Sequence, residues 1–141
     1  QVWDARRSVE LRAVELACLH RSDKEADYLV KLAAQMSESA DDVRESTRID
    51  IEFHNAIAHY SGNPLFSVMV SSLTSMMHAT NPIVWRIRSS AELQREIVDL
   101  HAEIALAIRS QDVGRATAAM SKHFEVATMG FATSGLSYLN T

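Results

Sequence analysis

The sequence predicts an all-α protein, an antiparallel bundle of about six helices in one domain. Glycine and proline, which interrupt helices, number only 4 and 2 in 141 residues, well below their usual share. Apolar residues recur at three- and four-residue intervals along most of the chain, and no stretch shows the two-residue alternation of a half-buried strand. A chain of this length usually forms a single domain. Short connections between the helices make neighbouring helices antiparallel.

The first three helices have clear start and stop signals. The first is predicted over about 2–20, with four apolar residues at helical spacing: Val2, Val9, Leu16 and Leu19. Ser22 and Glu25, three residues apart, form the capping-box pattern and begin a second helix that continues to about residue 39. A third helix is predicted over 41–61.

The junction after the third helix is strongly punctuated. Gly62 suits the left-handed position just past a helix end, Asn63 suits an N-cap and Pro64 suits the first helical position. The fourth helix should then run to about Thr80, where an Asn-Pro pair ends it. Residues 81–88 are predicted to be a loop or short turn.

Two further helices complete the predicted bundle. The fifth is predicted over 90–110 and the sixth over 112–131, joined by a tight turn at Gln111 and Asp112. The tail that follows the sixth helix carries only weak structural signals.

Composition limits the function classes. The formal net charge is −4, and Lys and Arg are scattered, which argues against nucleic-acid binding by this chain itself. The single cysteine, Cys18, excludes an internal disulfide, and its apolar neighbours predict a buried thiol. The six methionines, among them Met69, Met76, Met77 and Met120, are interpreted as core filler. No apolar run approaches the ~20 residues of a membrane span, and no signal peptide is visible.

These features predict a cytoplasmic protein. The chain begins at Gln1 directly within a helical pattern, so we expect it to be a fragment with further sequence upstream.

Two histidines stand on apolar faces of the last two helices. His101 lies with Ile97 and Ile104, and His123 lies with Met120. Both are 11 residues from Asp112, in the turn between the helices. At 1.5 Å per residue both imidazoles lie roughly 16 Å from the turn. Since equal separations from a hairpin turn mean equal heights, the two rings should converge.

The third helix supplies a matching pair, Asp50 and His54, which are four residues apart and therefore share a face. A carboxylate is costly to bury without a partner, and a divalent metal is one such partner. Asp50 with His54, His101 and His123 forms a nitrogen and oxygen donor set suited to Zn²⁺ or Ni²⁺, with Mn²⁺ or Fe²⁺ as further candidates.

The residues alone leave simpler interpretations open. Each histidine taken singly fits a hydrogen-bonded core residue, and Asp50 with His54 fits a local ion pair. The sequence contains no His-Glu-x-x-His pattern, phosphate-binding loop or dinucleotide fingerprint, and no nucleophile elbow.

Three stretches of the chain resemble a known family. They are Asp50-Ile51-Glu52-Phe53-His54 followed by Ser61-Gly62-Asn63, the stretch from His101-Ala102-Glu103-Ile104 through Asp112 to His123, and the opening Arg6-Arg7-Ser8-Val9-Glu10. Together they resemble the FCD domain, the C-terminal effector-binding domain of FadR-type regulators in the GntR transcription-factor family. Leu100 departs from the common form, which often has an acidic or polar residue before the histidine.

The resemblance implies a helical bundle with a central ligand and metal pocket. It implies that Asp50, His54, His101 and His123 hold one divalent ion, whose open positions take water or a small organic-acid effector. It also implies that a winged-helix DNA-binding domain precedes residue 1. Nothing in this chain matches that domain, so DNA should be contacted only through it.

We therefore interpret the chain as the ligand-sensing and dimerisation domain of a transcription regulator, not an enzyme. Arg6 is a candidate to pair with an effector carboxylate, because the guanidinium fork matches a carboxylate. The alternative for Arg6 is an ion pair with Glu10 on a solvated face. Arg86 and Arg88 are expected to face solvent.

Two rival functions remain open at the level of sequence. A helical-bundle metalloenzyme could use open metal positions to activate water, although no spare general base is visible. A purely structural interaction domain would hold no metal.

Overall fold

The computed structural model describes residues 2–78 and 90–133, and this part of the chain contains six α-helices and no strand. The helices are α1 (Val2–His20), α2 (Asp23–Glu38), α3 (Val43–Tyr60), α4 (Pro64–His78), α5 (Ala91–Arg109) and α6 (Val113–Thr133). The predicted all-α class is confirmed. The predicted end of the fourth helix at Thr80, the loop at 81–88 and the tail from 134 onward lie outside the described residues.

Polar caps set the starts of α2 and α3. The Ser22 hydroxyl accepts from the Glu25 backbone N–H while the Glu25 carboxylate accepts from the Ser22 backbone N–H, which is the predicted capping box. The Asp42 side chain accepts from the N–H groups of Arg44 and Glu45. Because Asp42 is the cap, α3 begins at residue 43, not at residue 41 as predicted.

The junction between α3 and α4 has the predicted chemistry. Gly62 adopts a φ of 74°, and a Cβ there would lie 3.3 Å from Nδ1 of His20. The Asn63 side chain accepts from the N–H of Leu65, and Pro64 is the first residue of α4. Glycine therefore suits both the left-handed backbone and the close approach of α1.

The turn between α5 and α6 is as short as predicted. Gln111 takes the left-handed backbone with a φ of 56°, and its side chain donates to the carbonyl of Cys18 at 3.0 Å. The Asp112 carboxylate accepts from the N–H of Arg115 at 3.0 Å, so the helix proper begins at Val113. The contact with α1 ties the turn to the rest of the bundle.

The main hydrophobic core is formed by buried residues of α1, α2, α3, α5 and α6. Helix α5 packs against α6 and α2, while α1 packs against α6, α3 and α4, and α2 also packs against α3. The largest apolar side chains at this centre are fully buried: Phe53, Ile57, Ile97, Ile104, Met120 and Phe124.

The inward face of α1 is unusual because it carries charge. Its buried residues are Arg6, Glu10, Ala13, Val14, Ala17 and Cys18. The apolar residues that indicated the helix lie elsewhere, and Leu19 is 57% exposed. Cys18 is buried as predicted, and burial is the main cause that raises the pKa of its thiol to about 11.

The methionine interpretation is partly wrong. Met36 and Met120 are buried core residues, but Met69 and Met76 are 38% and 60% exposed. They lie on the exposed face of α4, and the side chain of Met77 lies outside the described residues. Among the helices of the described residues, none is long and apolar enough to cross a membrane.

Candidate metal centre

Four side chains from three helices converge in the interior of the bundle. Asp50 and His54 come from α3, His101 from α5 and His123 from α6, and one potential ligand atom from each lies within 4.8 Å of the others. The three histidines are at most 2% exposed, and Asp50 is 8% exposed. The cluster is therefore almost completely closed, and Asp50 is its most accessible member.

The hairpin of α5 and α6 brings His101 and His123 to the same height. Their ring centroids are 4.6 Å apart, as the equal separations from Asp112 predicted. The ring of His54 lies 5.4 Å from that of His101 and 4.9 Å from that of His123. The three imidazoles thus surround one small volume.

Asp50 is the anionic member of the cluster. Its Oδ1 lies 3.0 Å from Nε2 of His101 and 3.7 Å from Nε2 of His54. Burial by itself would raise the pKa of Asp50. The hydrogen bond with His101 and the electrostatic attraction of His54, His101 and Arg6 hold that pKa well below its ordinary value. The carboxylate is therefore ionised in the folded protein.

The far nitrogens of two rings fix which nitrogen faces Asp50. Nδ1 of His101 lies 2.7 Å from the carbonyl oxygen of Ile97, and Nδ1 of His54 lies 2.5 Å from Oε2 of Glu10. Carbonyl and ionised carboxylate oxygens only accept hydrogen bonds, so both Nδ1 atoms carry the hydrogen. Nε2 of each ring then faces the centre, where that of His101 donates to Asp50 at 3.0 Å and that of His54 makes no hydrogen bond.

This arrangement fits a bound cation. The buried Nε2 of His54 makes no hydrogen bond, and an unmatched buried polar atom is unfavourable. A divalent ion at the centre would bind Nε2 of His54 and, after displacing its hydrogen, Nε2 of His101, and it would offset the carboxylate charge. Imidazole nitrogens with one carboxylate oxygen suit Zn²⁺, Ni²⁺, Mn²⁺ or Fe²⁺, so the residues fit the metal that the sequence predicted.

Arg6 lies beside this cluster, in the interior. It is 1% exposed, its Nε donates to Oε1 of Glu10 at 2.6 Å, and its guanidinium stands 5.4 and 5.5 Å from the ring centroids of Trp3 and Phe124. The predicted ion pair between Arg6 and Glu10 is present. It lies on the buried face of α1, so the prediction that this pair is on a solvated face is wrong.

Glu10 is the residue of the site that sequence reasoning missed. An Arg and a Glu four residues apart usually form an exposed helix pair, and the pattern alone gives no sign of burial. Arg6 and Glu10 share the buried face of α1 with Ala13 and Ala17, and that face can be recognised as buried only from the packing of the helices. Arg86 and Arg88 lie outside the described residues.

Comparisons with known proteins identify the family of the chain. Residues 1–126 match the family model of the FCD domain.

The chain belongs to the FCD domain family.

Among curated proteins, this FCD domain is similar to the HTH-type transcriptional repressor NanR of Salmonella newport strain SL254. The two are 32% identical over 114 residues, which cover 81% of this chain and 44% of the repressor. NanR of Salmonella arizonae gives the same identity over 43% of its length. The chain thus spans less than half the length of these relatives.

Two solved structures share the fold. Streptococcus agalactiae GntR matches with a TM-score of 0.76 and 25% identity, over 89% of this chain and 55% of that one. E. coli McbR/YncC matches with a TM-score of 0.75 over 97% of this chain and 64% of its own, and at 19% identity it supports the fold alone. The resemblance to regulators of the GntR family is confirmed, and the curated relative NanR is a transcriptional repressor, in agreement with the prediction that the domain is not an enzyme.

Proposed function

We propose that this FCD domain is the ligand-sensing and dimerisation domain of a GntR-family regulator that acts in the cytoplasm. In this proposal Asp50, His54, His101 and His123 hold one divalent ion, and the ion anchors a small organic-acid effector. The observation that carries it is the orientation of the Nε2 atoms of His54 and His101 toward the Asp50 carboxylate in a buried cluster.

The charge of the interior supports a cation at this place. Arg6 and Glu10 offset each other through their ion pair, which leaves Asp50 as the anionic side chain of the cluster. An isolated buried charge is unfavourable by several kcal/mol. A divalent ion reverses the sign, so that the loaded site carries about one net positive charge.

That net positive charge favours an anionic effector. A monocarboxylate on the ion would neutralise the site, and a hydroxyl beside the carboxylate could take a further position of a five- or six-coordinate metal. Arg6 is a second proposed contact for the acid, because a guanidinium has five N–H donors and a fork that matches a carboxylate.

A groove lined in part by α5, the helix that carries His101, is the proposed approach for the acid. It has a volume of about 330 Å³ and lies between the end of α2, the following loop and the start of α5. Gln94, Arg95 and Val98 line it, and Val98 is one turn before His101 on α5. Asp50, the most accessible ligand, would be reached first from outside.

Metal content is the first test. We expect close to one divalent ion per chain by elemental analysis, with Zn²⁺ or Ni²⁺ favoured over Mn²⁺ and Fe²⁺. His101→Ala or His123→Ala should remove most of it, because each deletes a ligand from the centre of the set. His59→Ala is the matched control, since His59 is an exposed histidine on α3 outside the cluster.

The same proteins provide a stability measurement. A metal at 1,000 times its dissociation constant adds about 4 kcal/mol to the free energy of unfolding, so chelation should lower the melting temperature of wild type and of His59→Ala. The proposal fails, and the structural domain without metal is favoured, if wild type carries no metal and gains no stability from added Zn²⁺ or Ni²⁺.

Acid binding is the second test. At 100 times its dissociation constant an effector adds about 2.7 kcal/mol, which raises the melting temperature by roughly 5–10 °C at this size. A thermal-shift screen of small mono-, di- and hydroxy-carboxylates on the metal-loaded protein should therefore give at least one clear hit. Arg6→Lys should weaken that hit while the metal stays bound, because lysine keeps the charge and loses the fork.

The hit should also require the metal. It should fall sharply after chelation and in Asp50→Ala, where the anchor is lost. Equal binding of acids with and without metal, or best hits among cationic and apolar compounds, would rule out anchoring by the ion.

DNA contact is proposed to belong to a winged-helix domain elsewhere in the protein. The net charge of −4 supports this, since phosphate contacts by Lys and Arg dominate DNA affinity. An anisotropy titration of this chain with duplex DNA at moderate salt should show no specific complex. Salt-sensitive, sequence-specific binding would overturn the assignment.

A further inference from the structure

Glu10 connects α1 to the candidate metal centre through a continuous buried chain of contacts. Its Oε1 accepts from Nε of Arg6 at 2.6 Å, and its Oε2 lies 2.5 Å from Nδ1 of His54. Arg6, Glu10 and His54 are each at most 1% exposed. One oxygen of the Glu10 carboxylate therefore contacts the Arg6 guanidinium, and the other contacts the ring of His54, which belongs to the cluster.

We propose that Glu10 is a positioning residue for the metal centre: its carboxylate holds the Nδ1–H of His54 and thereby presents the Nε2 lone pair to the ion, with Arg6 as its counter-charge. The proposal rests on the metal site proposed above and adds a residue from a fourth helix to it.

The position of the hydrogen on His54 follows from the acceptor behind it. An ionised carboxylate has no hydrogen to donate, so the neutral ring keeps its hydrogen on Nδ1. Its Nε2, which makes no hydrogen bond, points to the side of Asp50 at 3.7 Å. Without Glu10, the ring could place the hydrogen on Nε2 or rotate, and either change would remove the ligand atom from the cluster.

A carboxylate does more for a metal-binding imidazole than a carbonyl does. His101 uses the neutral carbonyl of Ile97 to hold its Nδ1–H at 2.7 Å, which orients the ring. A carboxylate behind the ring orients it and also makes the ligating nitrogen more basic. His54 should therefore be a strong ligand in the set.

The positive charge of Arg6 stabilises the buried, ionised carboxylate of Glu10. Burial by itself would raise the pKa of Glu10, but the charge of Arg6 and the contact with His54 lower it to about 2. The guanidinium is fixed between the rings of Trp3 and Phe124, and Phe124 follows the ligand His123 on α6. Arg6 and Glu10 thus form a neutral unit that leaves the charge of the centre to Asp50 and the ion.

An ion pair that served only to hold α1 in place would have no need of the second contact. Ordinary helix pairs such as Arg12 with Glu15 on the same helix lie at the surface. The second oxygen of Glu10 instead meets a histidine 44 positions away in sequence. Docking of α1 and occupation of the metal centre should therefore be coupled.

The test compares Co²⁺ binding by wild type, Glu10→Gln and Glu15→Gln, each stripped of metal and checked for helical content by circular dichroism. Glu10→Gln keeps the size of the side chain and removes its charge. We expect it to bind Co²⁺ 10- to 100-fold more weakly, the usual effect of losing such a partner. Glu15→Gln, which alters the exposed pair on the same helix, should bind like wild type.

Imidazole ¹⁵N spectra of the metal-free proteins give a readout that a purely structural role would not move. His54 of wild type should be in the Nδ1–H form, and Glu10→Gln should shift toward the Nε2–H form. If Glu10→Gln does not fold because Arg6 has lost its counter-charge, the double variant Arg6→Met with Glu10→Gln removes both charges and takes its place.

The outcomes separate this inference from the metal proposal. Wild-type binding of Co²⁺ with unchanged affinity in the folded Glu10 variant would overturn the positioning role alone, as would an Nε2–H form of His54 in wild type. Absence of Co²⁺ binding by wild type would overturn both. Weaker binding in the variant together with the tautomer shift supports the inference.

Discussion

At the scale of the residue, the most informative feature is a pair of charges inside the bundle. Arg6 and Glu10 are each 1% exposed, whereas the similar pair Arg12 and Glu15 on the same helix is 58% and 31% exposed. The same local pattern thus occurs in two environments, and the two pairs should differ strongly in their contribution to stability.

We expect Arg6→Met to lower the free energy of unfolding by about 3–5 kcal/mol, because it leaves the Glu10 carboxylate buried without its partner. The matched control, Arg12→Met, should change it by less than about 1 kcal/mol, since exposed pairs are screened by water. Urea unfolding followed by circular dichroism measures both. Similar small effects in the two variants would contradict the buried position of Arg6.

At the scale of the element, helix starts are set by single side chains. Asp42 caps α3, the helix that carries Asp50 and His54, through its contacts with the N–H groups of Arg44 and Glu45. Its neighbour Asp41 is equally exposed and is not the cap. Substitutions of Asp41 and Asp42 therefore separate the effect of losing the cap from the effect of losing a negative charge.

Asp42→Ala should lower the free energy of unfolding by about 1 kcal/mol, the usual effect of losing an N-cap, and leave metal stoichiometry unchanged. Asp41→Ala should be within about 0.5 kcal/mol of wild type, as surface substitutions usually are. Denaturant melts with elemental analysis of the same samples provide the check. Equal losses in both variants would mean that the cap is unimportant.

At the scale of the whole molecule, the outer face of α4 is an exposed apolar surface among the residues that the structure describes. Leu65, Val68 and Met76 are each at least 60% exposed, and residues 64–78 contain no Asp, Glu, Lys or Arg. The chain has a net charge of −4, but the helix that carries this face contributes none of it. Two copies can therefore pack their α4 faces together without charge repulsion. We propose this face as the contact of the homodimer.

Val68→Glu should convert the dimer to a monomer in light scattering, because it buries a charge opposite its own copy. Leu106→Glu is the control, since Leu106 is an exposed leucine on α5, 43% exposed, and should remain dimeric. A monomeric wild type, or a dimer unaffected by Val68→Glu, would exclude α4 as the contact.

The sequence by itself predicted the helices and the four residues that converge in the His and Asp cluster. Scarce glycine and proline, periodic apolar residues and local caps act over a few residues, so they can be recognised without tertiary contacts. The matched positions of His101 and His123 were predictable for the same reason. A tight turn at Gln111 and Asp112 places residues at equal separations from it at equal heights along the two helices. The four-residue spacing of Asp50 and His54 added their pair to the set, and the family resemblance then favoured a metal site over the local ion pair that the residues left open.

Only the tertiary structure decided which further side chains are buried around the His and Asp cluster. Whether Arg6 and Glu10 face solvent or core depends on the rotation of α1 against α3 and α6, and no local pattern sets that rotation. The contact of Glu10 with His54 spans 44 positions, so it exists only once the helices have packed. The exposure of Met69 and Met76 has the same origin, because an apolar helix face is core or surface according to whether another helix covers it.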